Sequence, residues 1–169
     1  VDKYNMLIHQ IKDGYEKHAE NRPYVVAIDG LSGTGKTTLV NEIEDILDNI
    51  VIIHIDDHIV VKSKRYDTGQ AQWFEYYQLQ WDTEFLREHL FQKIHQNISS
   101  LTLPFYQSDE NTHMNKTINL STHNIVIIEG VFLLREEWKH FYDYIVFLDC
   151  HKEVRYKRVL QRDQYIGSI

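Results

Sequence analysis

Short apolar runs alternate along the chain with segments in which apolar residues recur every three or four positions. Four of the runs are typical of strands buried in a parallel sheet, because apolar residues follow one another without the alternation of a half-exposed strand. They occupy residues 24–28, 51–55, 125–128 and 144–148. Strands that alternate with helices predict an α/β fold, with a mostly parallel central sheet between two helical layers.

The helical segments are indicated by apolar positions with a period near 3.6 residues. Residues 2–20 place Tyr4, Ile8 and Ile11 on one stripe, with Asp2 as a plausible N-cap. Residues 39–48 and 83–96 show similar stripes, and a further helix begins near residue 152. An aromatic-rich stretch covers 73–81, and extended pieces at 101–106 and 117–120 flank a polar loop and are compatible with a hairpin.

The segment between the first strand and the second helix matches the phosphate-binding pattern G-x-x-x-x-G-K-[ST] in full. Glycines let the backbone wrap tightly so that its N–H groups point at phosphate oxygens, and the following helix adds the positive end of its dipole. In this pattern the lysine reaches the β and γ phosphates and the hydroxyl ligates Mg²⁺. The predicted nucleotide-binding residues are Gly30, Ser32, Gly33, Thr34, Gly35, Lys36, Thr37 and Thr38.

Acidic residues follow three of the predicted strands, at Asp56, Glu129 and Asp149. In parallel sheets, ligands sit at the carboxyl ends of the strands, and the phosphate-binding segment leaves the same edge. Carboxylates near a bound Mg-nucleotide are what phosphoryl transfer requires, since that chemistry consists mostly of positioning and charge neutralisation.

The composition limits the classes of function. The formal net charge of −7 argues against a protein that mainly holds a nucleic-acid backbone, which favours a small-molecule acceptor. The single Cys150 excludes an intrachain disulfide and favours a cytoplasmic setting. No apolar run approaches the roughly 18 residues that span a bilayer, so we expect no membrane partner. A homo-oligomer is left open.

Together these residues resemble the uridine kinase branch of the P-loop kinases. The resemblance covers about 24–162, and its strongest parts are the loop at 30–37, the I-D-D-H-I run at 55–59 and the I-I-E-G-V run at 127–131. It implies a single P-loop NTPase domain over 1–169, three-layered α/β/α, with a core at about 22–150 and a lid-like helix at about 151–165. Family members continue beyond that helix, so we expect the C-terminal part of the fold to be missing.

The resemblance also assigns roles to the acids. Asp56 matches the base that takes the proton from the attacking hydroxyl, with Asp57 as its substitute in the acceptor site. An alternative is that Asp56 caps the next segment or holds Mg²⁺. Glu129 matches the carboxylate that binds Mg²⁺, usually through water, together with Thr37.

Acceptor recognition is implied for three further residues. Asp82 aligns with an aspartate that binds ribose hydroxyls, although it also stands where the next helix wants an N-cap. Tyr106 and His113 lie in a loop that resembles the base-reading segment of uridine kinases, although His113 falls later than the family spacing. The aromatic residues of 73–81 could line the acceptor pocket or belong to the core.

Arg158 and Arg162, with Arg155, look like lid arginines that close over the triphosphate. Cationic clamps on a transferring phosphoryl group are a large electrostatic term when water is excluded. A solvated basic face on a surface helix is the alternative.

We therefore expect a kinase that uses ATP (or GTP) and Mg²⁺ to phosphorylate a small metabolite, favouring the 5′-hydroxyl of a ribonucleoside such as uridine or cytidine. A pantothenate-like, nicotinamide riboside or sugar-phosphate acceptor is the enzymatic alternative. A non-catalytic nucleotide-binding module is the alternative from another class. A GTPase is disfavoured because the run at 115–118, Asn-Lys-Thr-Ile, lacks the aspartate of the N-K-x-D motif.

Overall fold

Helices and strands alternate along the chain as the sequence pattern predicts. The structure is a computed structural model that describes residues 4–149. Its elements are α1 (Asn5–Lys17), β1 (Tyr24–Asp29), α2 (Lys36–Ile46), β2 (Ile50–His54), a 3-10 turn (Ile55–His58), α3 (Lys62–Arg65), α4 (Gln72–Gln78), α5 (Thr83–Leu86), a π-helical turn (Arg87–Phe91), α6 (Gln92–His95), β3 (Ser100–Gln107), β4 (Thr112–Asn119), β5 (Ile125–Gly130), a second 3-10 turn (Lys139–Phe141) and β6 (Tyr144–Phe147).

Four strands form a parallel sheet in the order β2-β5-β1-β6. The register pairs Asp29 at the end of β1 with Gly130 at the end of β5. It also pairs His54 at the end of β2 with Glu129. The carboxyl ends of these strands therefore meet at one edge, and the predicted α/β fold is confirmed.

Alternate side chains of the strands point to two separate cores. Val26 and Ile28 pack with α1 and α2 on one face, whereas Val25 and Ala27 pack with the α5–α6 segment on the other. The sheet thus lies between two layers, as expected for a three-layer fold. None of the helices found between residues 4 and 149 combines the length and apolar character that crossing a bilayer needs.

The hairpin suggested by the extended pieces is present, but the prediction that Tyr106 and His113 lie in its loop is wrong. Strand β3 continues to Gln107, and strand β4 already begins at Thr112. Tyr106 and His113 therefore lie directly opposite each other in an antiparallel hairpin instead of in a loop. Almost every residue of β4 is exposed. A strand without a buried face lacks the apolar alternation by which a sequence reveals it.

The helix predicted for 83–96 is present as the segment from α5 to α6 and contains the π-helical turn. Asp82 is its N-cap, since its Oδ1 accepts a hydrogen bond of 3.1 Å from the backbone N–H of Phe85. In the first helix the described N-cap is Tyr4, and Asp2 lies outside the described residues.

A bidentate ion pair joins residues that lie just before the neighbouring strands β1 and β6. Both terminal nitrogens of Arg22 donate to the carboxylate of Asp143 at 2.8 Å, and the backbone N–H of Val25 donates to the same carboxylate at 2.8 Å. Burial by itself would raise the pKa of Asp143, but these hydrogen bonds and the charge of Arg22 bring it below its usual value.

We expect Asp143→Asn to lower the free energy of unfolding at pH 7 by about 1.5–3 kcal/mol, as for hydrogen bonds to a charged group. Because the pKa is lowered by folding, the stabilisation is complete above the unfolded value near pH 4 and disappears as the pH falls through the folded value. Urea unfolding at pH 7 and pH 3 measures this. Asp13→Asn, which breaks an exposed pair with Lys17, is the control and should cost about 0.5 kcal/mol or less. An equal loss at both pH values would contradict the prediction.

Candidate active site

The phosphate loop (residues 30–37) connects β1 to α2 at the carboxyl edge of the sheet. Gly33 and Gly35 have φ values of 83° and 96°, in the left-handed region that side chains other than glycine rarely adopt. Gly35 is also the N-cap of α2, so the N–H groups of the first helical turn lie at the end of the loop. This backbone shape fits a nucleotide phosphate.

The φ of Gly30 is not positive, so its conformation does not demand glycine. Glycine is required there because a side chain would have no room. A Cβ added at this position would lie 2.7 Å from the carbonyl oxygen of Leu148 and 2.7 Å from Oγ1 of Thr34. The Thr34 hydroxyl is buried in the loop and donates to the carbonyl of Leu31 at 2.7 Å. A side chain at Gly30 would therefore displace either β6 or the loop itself.

The ammonium group of Lys36 is held over the start of the loop. It donates to the carbonyl oxygens of Gly30 and Leu31, the latter at 3.2 Å. Its charge also lowers the pKa values of Asp29 and Asp56 relative to what burial alone would produce. Lys36 thus lies within electrostatic reach of both acids at this edge.

Asp56 lies in the 3-10 turn after β2, close enough to Glu129 at the end of the neighbouring β5 to feel its charge. Asp56 is exposed as a residue, but partial removal of its carboxyl group from water and the nearby charge of Glu129 raise its pKa. His54 contacts the other acid, with 2.8 Å between its Nδ1 and Oε2 of Glu129, and this bond raises the pKa of His54. Asp57 is the next residue in the same 3-10 turn and is exposed.

Sequence reasoning missed Asp29, the last residue of β1. Its side chain is buried, and its Oδ2 accepts a hydrogen bond of 3.1 Å from the backbone N–H of Leu133. Burial raises the pKa of this carboxyl. The sequence does contain a signal for this site, which is an acidic residue at the end of a strand and directly before a glycine-rich loop. Asp149 follows β6, which is separated from β5 by β1, so it does not join Asp56 and Glu129.

The predicted metal ligands fit an ion that arrives with a nucleotide. Thr37 is exposed at the start of α2, and Glu129 is partly buried at the end of β5. Within the described part of the chain, no three His, Cys, Asp or Glu side chains converge as metal ligands. Mg²⁺ is commonly held by one or two carboxylates plus substrate phosphates instead of by an all-protein cage.

The β3–β4 hairpin is anchored beside the turn that carries Asp56. His113 Nε2 donates to the carbonyl of Ile59 at 2.8 Å, and His58 Nδ1 donates to that of Pro104 at 3.1 Å. The rings of Tyr106 and His113 meet edge to face, with centroids 5.7 Å apart. The structure thus brings Tyr106 and His113, two of the predicted acceptor residues, next to the 55–59 segment.

The aromatic residues of 73–81 are distributed between the core, the surface and a cavity. Trp81 is buried and donates from its ring nitrogen to the carbonyl of Ile55 at 2.9 Å, whereas Trp73 is exposed. Tyr77 lines a cavity of about 370 Å³ at the carboxyl edge of the sheet. The cavity is also lined by Asp29, Gly30, Leu31, Phe132, Leu134, Arg135 and Phe147.

The predicted lid residues Arg155, Arg158 and Arg162 lie outside the described residues. Asp82 is exposed at the start of the α5–α6 segment, where capping occupies one of its oxygens.

Several known proteins are similar to this chain over most of its length. The sequence model described as "Phosphoribulokinase / Uridine kinase family" matches residues 25–166. A protein of Lactobacillus helveticus named uridine kinase is 30% identical, with 88% of this chain and 77% of that protein covered. Another uridine kinase, from Limosilactobacillus reuteri, is 32% identical over 84% of this chain and 66% of its own length.

A solved structure is also similar. It is the structure of a possible uridine kinase from Bacillus stearothermophilus, with 39% identity, a TM-score of 0.75, and coverage of 96% of this chain and 93% of that one. The predicted resemblance and the P-loop kinase fold are confirmed.

We expect Gly30→Ala to reduce kcat/KM for ATP by about 10²-fold, as small misplacements of reacting groups do. The physical reason is the contact of 2.7 Å that the new Cβ would make with the backbone of Leu148. Steady-state kinetics with varied ATP measures the effect. Gly69→Ala is the matched control: its φ of 83° makes alanine strained, but nothing lies within 4 Å of the added Cβ. That control should lose stability by about 1–2 kcal/mol and keep its turnover. Normal kinetics for Gly30→Ala would contradict the steric argument.

Proposed function

The chain belongs to the phosphoribulokinase/uridine kinase family, and we propose that it transfers the γ-phosphoryl group of ATP, with Mg²⁺, to the 5′-hydroxyl of a pyrimidine ribonucleoside. A phosphotransferase with an alcohol acceptor is the enzyme class of its homologues. The observation that carries the proposal is the position of Asp56, which shares the sheet edge with the phosphate loop and lies within electrostatic reach of Lys36. The names of the relatives favour uridine as the acceptor.

The phosphate loop holds the triphosphate through its backbone N–H groups, and Lys36 supplies positive charge at the β and γ phosphates. Mg²⁺, when bound, neutralises charge that develops between the phosphates. Thr37 and Glu129 are the side chains that hold it in this proposal. His54 binds Oε2 of Glu129, which leaves Oε1 as the oxygen for the metal ion in this proposal.

Asp56 orients the acceptor hydroxyl and takes its proton as the bond to phosphorus forms. Its raised pKa makes it a better proton acceptor than an aspartate with the usual pKa. Asp57 is the neighbour that could replace it. Tyr106 and His113 contact the base, and the free oxygen of Asp82 contacts the ribose. The lone cysteine of the sequence supports a cytoplasmic setting.

The first test is ADP release with Mg-ATP across a panel of uridine, cytidine, adenosine, nicotinamide riboside and pantothenate. We expect strong stimulation by uridine or cytidine. Lys36→Ala, the control for the phosphate loop, should remove most of this turnover and retain the far-UV circular dichroism of the wild type. Stimulation by another acceptor would move the proposal to that substrate. A flat response across the panel would contradict the nucleoside kinase function, and normal kcat in Lys36→Ala would contradict the role of the loop.

The base role is tested by Asp56→Asn. This change keeps the size of the side chain and removes its ability to accept a proton, so kcat should fall by about 10²-fold or more with little change in ATP affinity. Asp57→Asn is the matched control, one residue away in the same turn, and should lose less. A larger loss in Asp57→Asn would transfer the base role to that residue.

A further inference from the structure

Arg135 is a charged side chain with an unusual environment. Only 4% of the residue is exposed, and its guanidinium carbon lies 4.5 Å, 4.7 Å and 5.5 Å from the ring centroids of Tyr77, Trp138 and Trp81. Cations are attracted to aromatic ring faces in this range. The three rings thus surround the guanidinium group and fix its position.

The hydrogen bonds of Arg135 go to carbonyl groups and not to acids. Its Nε donates to the carbonyl of Phe132 at 3.1 Å, and one Nη nitrogen donates to that of Tyr77 at 2.9 Å. Among residues 4–149 it has no ion-pair partner, and Nη1 makes no hydrogen bond to a described residue. Buried charges are usually paired, because removal from water is costly. Part of the donor capacity of Arg135 is therefore left for a ligand.

Arg135 faces the same cavity as the phosphate loop. That cavity, of about 370 Å³, is lined by Gly30 and Leu31 at the start of the loop as well as by Arg135. It is also lined by Asp29, whose carboxyl group already accepts a hydrogen bond from the N–H of Leu133. Phe132 forms another wall and has a φ of 57°, which is rare for a bulky side chain. Strained backbone of this kind is concentrated at ligand sites.

We propose that this cavity is an oxyanion site in which Arg135 supplies the positive charge. Guanidinium groups match the planar geometry of oxyanions and keep their charge when buried, which an ammonium group does less readily. The oxyanion could be the phosphoryl group in transfer or an acidic group on the acceptor. Only this choice of source rests on the proposed kinase function.

A purely structural role must be distinguished, because Arg135 also ties the segment after β5 to α4 through the carbonyl of Tyr77. Arg65 offers a matched control for a buried arginine. It is 5% exposed, lies 4.8 Å and 5.1 Å from the ring centroids of Tyr66 and Tyr106, and donates to the carbonyl of Val60. It does not line the cavity.

The experiment is a titration of the full chain with inorganic phosphate, followed by tryptophan fluorescence, which Trp81 and Trp138 beside Arg135 should make sensitive to the site. Wild type, Arg135→Lys, Arg135→Met and Arg65→Met are compared, each with a thermal melt to establish that it is folded. We expect binding to weaken by about tenfold or more in Arg135→Met and by less in Arg135→Lys, because charge-assisted hydrogen bonds are lost. Arg65→Met should bind phosphate like the wild type. This readout needs no turnover, so it can succeed where the proposed function fails.

Two experiments distinguish the two possible sources of the oxyanion. They are the phosphate titration of Lys36→Ala and the steady-state kinetics of Arg135→Lys. If the site receives the phosphoryl group in transfer, Lys36→Ala should weaken phosphate binding as well, and Arg135→Lys should lower kcat with little change in acceptor KM. If it receives an acidic acceptor, phosphate binding should survive in Lys36→Ala, and acceptor KM should rise. Equal phosphate binding in folded Arg135→Lys and wild type would overturn the proposal. So would equal losses in Arg135→Met and Arg65→Met.

Discussion

The close approach of β1 and β5 at their carboxyl ends is the constraint on which the rest of the site depends. The N–H of Gly30 donates to the carbonyl of Gly130 at 3.2 Å, so the ladder between the strands continues into the phosphate loop. A Cβ at Gly130 would overlap Cγ2 of Ile55, and one at Gly30 would meet the carbonyl oxygen of Leu148, directly after β6. Two glycines therefore let the loop, the acid of β5 and the turn after β2 occupy one small region.

The segment after β5 closes this region and is itself held by polar groups in apolar surroundings. Asp29 accepts from the N–H of Leu133, and the hydroxyl of Tyr142 donates to the carbonyl of Leu133 at 2.8 Å. Arg135 extends the same network to α4. Satisfied polar groups of this kind specify one arrangement, since each loses its partner if the segment moves. The segment after β5 and the phosphate loop are therefore held in one position relative to each other.

Much of this architecture could be predicted from the chain, but the charged groups within it could not. The four apolar runs correspond to β1, β2, β5 and β6, and the helical stripes correspond to α1, α2 and the α5–α6 segment. Asp29 and Arg135 escaped notice because sequence patterns treat charged residues as exposed. The early start of β4 at Thr112, which places His113 in a strand of the expected hairpin, escaped notice because β4 has no buried face.

The sequence by itself determined the phosphate loop and the alternation of strands and helices, since glycine spacing and apolar periodicity are local properties of the chain. It also indicated which acids end which strands. Only the tertiary structure decided which of those acids meet: strand order makes β5 the neighbour of β2 and leaves Asp149 beyond β1. Tertiary packing likewise placed Arg135 among aromatic rings from distant parts of the chain. Strand order and burial are decided by contacts between remote residues, which no local pattern contains.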